Sequence, residues 1–157
     1  MATNRTSTVD TALKQLAAAS KILNEASDKL TSQLALIESA LAEYRLGISA
    51  WVELGREKES NTDDEGNQFL LTWVEQLGYG KHHGKWGLLV NGWYEENEPE
   101  EPIFLRDAPR ETRLRAVEKV PVLLVALAEK ANKLAGDTAR KAEEAGKLAE
   151  SMSWETF

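Results

Sequence analysis

The feature that most constrains this chain is an apolar string running without a break through its first third. Val9, Leu13, Leu16, Ser20, Leu23, Ser27, Leu30, Leu34, Ile37, Leu41, Tyr44 and Ile48 follow one another at alternating steps of four and three. That spacing is a heptad. With Leu13 at position a, the d positions are Val9, Leu16, Leu23, Leu30, Ile37 and Tyr44, and Ala12, Ala19, Ala26 and Ala40 border the seam at g. A 3.5-residue period held over five heptads predicts a helix that supercoils against a partner helix rather than one lying on a globule. Polar Ser20 and Ser27 at a weaken the seam, and the apolar Ile22 and Leu36 lie outside it, which suggests contact with more than one neighbour. The expected helix spans 7–48, with Thr6 or Ser7 as N-cap and Gly47 marking its exit, about 60 Å at 1.5 Å per residue.

After Gly47 the apolar period changes to two. Residues 49–54 read as a first strand, 55–67 (GREKESNTDDEGN) as a charged mobile loop, and 68–81 with 85–94 as a hairpin closed by His83-Gly84. That turn sets Lys81 opposite Trp86, Gly80 opposite Gly87, Tyr79 opposite Leu88, Gly78 opposite Leu89 and Leu77 opposite Val90. The glycine side of this hairpin needs a reason, since glycine weakens strands. Close packing of a helix is the favoured one, ahead of local twist and a bound ligand. Residues 95–101 form a second acidic loop and 103–105 a short fourth strand. Asp107 caps a helix whose second residue is Pro109, and Pro121 interrupts it after about Lys119, giving a kinked helix over 107–152 and a tail over 153–157. A second, weaker seam runs through Val117, Val120, Leu124, Leu127, Ala131, Leu134, Thr138, Ala145, Leu148 and Met152. Gly136 and Gly146 each cost this helix about 1 kcal/mol against Ala.

The expected class is therefore α+β: a long N-terminal heptad helix, a three- to four-stranded antiparallel sheet over 49–106, and a long C-terminal helix returning antiparallel as a hairpin or bundle, in a single domain. At the level of architecture alone, helix, two small hairpins and helix is similar to the layout of the alpha-class prefoldin subunits, holdase chaperones whose coiled coils project from a β platform. No residue of that family is matched here, and fold does not fix function.

Charge is unevenly distributed along the chain. Residues 1–49 carry 5 basic and 5 acidic side chains, 50–101 carry 4 and 12, and 102–157 carry 10 and 9. The acidic middle argues against nucleic acid as a partner, because phosphate contacts need clustered Lys and Arg. The longest apolar run, 120–128, falls far short of the roughly 20 residues a bilayer requires, so no membrane is expected. There is no cysteine and no basic-then-apolar leader, which makes the cytoplasm the expected compartment.

Little in the sequence suggests catalysis. His82 and His83 are the only histidines, and neighbours in a tight turn should point different ways, so they are expected to be turn residues in solvent rather than a metal pair. Asn61, Asp63, Glu65 and Gly66 imitate half of a calcium loop, but the twelfth position holds Thr72 where a bidentate Glu is needed. No phosphate loop, nucleophile elbow or Ser-His-Asp arrangement can be assembled. Neither enzyme activity nor a cofactor nor a bound metal is expected. Arg106, Arg110, Arg113, Arg115 and Lys119 form a basic cluster whose simplest role is neutralising the nearby acidic loops; docking an acidic partner is the alternative.

Two surfaces remain as candidates. Leu13, Leu16, Leu23, Leu30, Leu34, Ile37 and Leu41 form a seam for self-association, as a dimer or higher oligomer. Trp73, Tyr79, Trp86 and Trp93, with Gly78, Gly80 and Gly87, form a candidate surface for an unidentified protein partner, or for a small molecule or peptide.

Overall fold

The computed structural model describes residues 2–155 and divides into two compact units, one ending at Glu43 and one beginning at Tyr44. The first unit is a single helix, α1, spanning Ala2–Glu43. No Gly or Pro interrupts it, and nine alanines favour it. It begins before the expected cap, so Thr6 and Ser7 lie inside it. Hydroxyls in its interior bond back to the preceding turn, as Thr11 Oγ1 does to the Ser7 carbonyl at 2.9 Å and Ser32 Oγ to the Asp28 carbonyl at 3.0 Å. The exit also comes early. Arg45 takes the left-handed conformation (φ 49°) two residues before Gly47 (φ 64°), which ends the helix at Glu43 and leaves Tyr44 and Ile48 beyond the seam.

The second unit contains β1 (Ala50–Thr62), β2 (Gln68–His82), β3 (Lys85–Tyr94) and β4 (Ile103–Phe104), a 3-10 turn (Leu105–Asp107) and helix α2 (Arg110–Glu155). The four strands form one antiparallel sheet in chain order. The expected loop over 55–67 is mostly strand. Arg56 to Thr62 pair residue by residue with Val74 to Gln68, because backbone pairing on a β-branched and aromatic partner strand does not require apolar side chains. A bulge between Glu53 and Gly55 separates this charged ribbon from the apolar start of β1. Only 63–67 form a loop. There Asp63 Oδ1 accepts the Glu65 and Asn67 N–H groups at 3.0 and 2.8 Å, so the oxygen expected to imitate a calcium ligand closes the turn instead.

The β2–β3 hairpin has the expected register at all five pairs. His83 (φ 50°) and Gly84 (φ 78°) are both left-handed, as a type I′ turn demands.

Ala116, Val120, Leu123 and Leu127 of α2 are buried, at steps of four, three and four, and α2 packs on β1 and β2. The ion pair from Arg115 to Glu75 fixes which sheet face it covers, the one carrying Leu77 and Tyr79 and, opposite them, Val90 and Leu88. The buried stripe is thus turned by one residue from the expected seam, since Val117 and Leu124 are exposed. Pro121 does not interrupt α2, which continues to Glu155 and so into the expected tail, of which 156–157 lie outside the described residues. Pro121 removes one backbone donor and crowds the carbonyl four residues back, a local cost offset by Val120 and Leu123, which are held in the core on either side. Asp107 lies in the 3-10 turn, and Pro109 supplies the carbonyl that accepts the Arg113 N–H at 3.1 Å, so Pro109 takes the place at the helix start expected of Asp107.

Beyond Leu127, no residue of α2 is buried among the described residues. An added Cβ at Gly136 or Gly146 meets nothing within 4 Å. Gly136→Ala and Gly146→Ala are each expected to stabilise the protein by about 0.5–1 kcal/mol, measured by thermal unfolding. A loss of stability would reveal a surface packed against that glycine.

Candidate functional site

The seam on α1 divides by exposure. Leu13, Leu16 and Leu23 are exposed, as are Val9, Ile22 and Leu36; Leu30 and Ile37 are half-buried; Leu34 and Leu41 are buried. The seven-residue spacing thus leaves an apolar row facing solvent along the N-terminal half of this helix.

The candidate aromatic surface is not one surface. Trp51, on β1, lies over Gly78, where an added Cβ would sit 2.4 Å from ring atoms Cδ2 and Cε3. On the opposite sheet face Trp73 lies over Gly92 in the same way, 2.5 Å from Cζ2. Two glycines therefore exist to seat tryptophans from the neighbouring strand, and for Gly78 this replaces the expected helix. Gly80 is different, since its added Cβ would make ordinary contact with Ser49 and Leu89 at 3.4 and 3.5 Å. Gly87 is buried opposite it. Tyr79 is buried with its ring 5.6 Å from that of Trp86, which is partly exposed, and Trp93 is half-buried on the other face.

One region of this unit with the shape to hold a small ligand is a cleft of about 290 Å³ between the sheet and the start of α2. Trp73, Glu75, Gly92, Asn91, Ile103 and Thr112 are among its walls. Trp73 is fixed by Gly92 beneath it, by Tyr94 edge-on at 5.0 Å, and by its Nε1 donating to Glu75 at 3.3 Å. Glu75 in turn accepts both terminal nitrogens of Arg115, at 3.1–3.3 Å. Asn91 Oδ1 is buried without a hydrogen-bond donor. At the cleft's outer side the Tyr94 hydroxyl donates to Glu59 at 3.2 Å, and this bond to a carboxylate raises the tyrosine above its ordinary pKa.

Sequence reasoning named Trp73 but not Glu75, Asn91 or Thr112, which three separate segments bring together and which share no spacing. The basic cluster is dispersed: Arg115 pairs with Glu75, and Arg106 lies over the Phe104 ring at 4.3 Å. Removing the Arg115 side chain leaves the four-fifths buried Glu75 carboxylate with only the indole donor. Arg115→Ala is expected to cost about 1–2 kcal/mol in urea denaturation, and Arg115→Lys to restore only part, since a single ammonium does not reproduce the two-pronged guanidinium.

No protein-family model, no curated protein and no solved structure matches this chain. No helix among the described residues is long and apolar enough to cross a membrane.

Proposed function

We propose that this chain is a non-catalytic scaffold that associates with further copies of itself through its long helices and presents the sheet unit to a protein partner, in the cytoplasm. The exposed apolar row of α1 carries this reading. Val9, Leu13, Leu16 and Leu23 are 55%, 58%, 64% and 48% exposed, and burying such side chains is worth about 1.5–3 kcal/mol each when complete. Their heptad spacing fits another heptad helix, so a second copy is a matching occupant. Charge does not oppose it, because residues 1–49 carry equal numbers of acidic and basic groups. Ala12, Ala19 and Ala26 beside the seam allow close approach. The distal half of α2 offers Leu134, Leu148 and Met152, also exposed.

Leu16→Asp combined with Leu23→Asp tests the reading. Both side chains are exposed within the single chain, so helicity by circular dichroism should be retained while the assembled mass falls. Unchanged mass with unchanged helicity would place the contact elsewhere.

A second reading rests on the cleft beside Trp73. Its apolar wall, with Trp73 and Glu75 held on the same sheet face, suits a small, largely apolar ligand. A metabolite screen read by thermal shift would favour it if one compound stabilises the wild type and not Trp73→Leu.

A further inference from the structure

At the tip of the β2–β3 hairpin the two histidines do not diverge as neighbours in a turn were expected to. Their ring centroids are 3.9 Å apart, and Glu101 reaches both: its Oε1 is 4.0 Å from His82 Nε2 and 3.5 Å from His83 Nε2. One ligand atom from each of the three residues lies within 4.8 Å of the others. Donors bound to one zinc ion at about 2.0–2.1 Å in tetrahedral array stand about 3.4 Å apart. The pairs at 3.5 and 4.0 Å are close to that edge already.

Three features hold this arrangement. The left-handed backbone at His83 swings its ring back beside that of His82, at a position where Asn or Gly is the easier residue. His82 has a side chain only 13% exposed and packs edge-on against Phe104 at 5.4 Å, which fixes its ring. Glu101 precedes Pro102, and that restricts its backbone to extended conformations.

We propose that His82, His83 and Glu101 form a zinc site on the hairpin tip, three protein ligands with water completing the shell. Two imidazoles select a borderline ion such as Zn²⁺ over Ca²⁺ or Mg²⁺, which favour oxygen donors throughout. Binding ties the acidic loop over 95–102 to the hairpin, a link that no backbone pairing supplies at Glu101.

The experiment is equilibrium dialysis of the full chain, without a histidine tag, against micromolar ZnCl₂. One zinc per chain is expected, undisturbed by millimolar Ca²⁺, and affinity should fall about tenfold or more in both His83→Asn and Glu101→Gln. Both side chains are more than 70% exposed and Asn accepts the left-handed turn, so these variants should keep the wild-type circular dichroism spectrum. No zinc bound by the wild type would overturn the proposal. Equal binding by both variants would overturn it too, by assigning the zinc to the acidic loops at large.

Discussion

Gly78→Val is expected to destabilise the protein by about 2 kcal/mol, even though valine is the better strand former. The added Cβ would enter the Trp51 ring at 2.4 Å, and the indole, part of the sheet's own packing, would have to leave its seat. Overpacking of this kind costs about 1–3 kcal/mol, occasionally more, against a β-propensity gain of at most about 1 kcal/mol. Two residues along the same strand and face, Gly80→Ala should change stability by less than about 0.5 kcal/mol, since its neighbours stand at van der Waals distance. Urea denaturation of both variants is the measurement. A neutral Gly78→Val, or a Gly80→Ala as damaging as its neighbour, would show that Trp51 does not occupy the strip. Adding Trp51→Ala to Gly78→Val should recover part of the loss relative to the sum of the single changes.

The second large effect lies on α2. Leu123 has no exposed surface, and Leu123→Ala should cost about 3 kcal/mol through lost transfer energy and the cavity left against the sheet. Leu124, 38% exposed, should cost less than about 1 kcal/mol on the same substitution. The pair reports the rotation of the helix directly. Equal losses would turn the buried stripe back toward the seam that periodicity alone suggests.

That one-residue rotation shows where sequence periodicity stops being informative. From Leu114 to Leu127 apolar residues lie on nearly every face of α2, so spacing selects helix but not orientation; the sheet beneath decides which of them are buried. The α1 helix was legible because its large apolar residues, Ile22 and Leu36 apart, recur at steps of four and three with no Gly or Pro among them. The β2–β3 register was equally legible, since a two-residue turn at His83-Gly84 leaves one pairing and one set of facing residues.

The charged half of β1 was not. A strand announces itself when one face is apolar, and Arg56 to Ser60 are exposed, with both faces polar, so no alternation marks it. Nor was the role of Gly78 readable, because Trp51 lies 27 residues away and only the β1–β2 register brings them opposite. The candidate cleft and the histidine tip share this property. Glu101 meets His82 and His83 only once the loop over 95–102 has folded back along the sheet, and local turn geometry considered by itself pointed the other way.

Self-association through the exposed row of α1 is the central claim, and light scattering of the wild-type chain from low to high micromolar concentration tests it most directly. A mass of at least twice the chain's 17.5 kDa, falling on dilution, is the expected result; a mass that stays at 17.5 kDa across the whole range would contradict it.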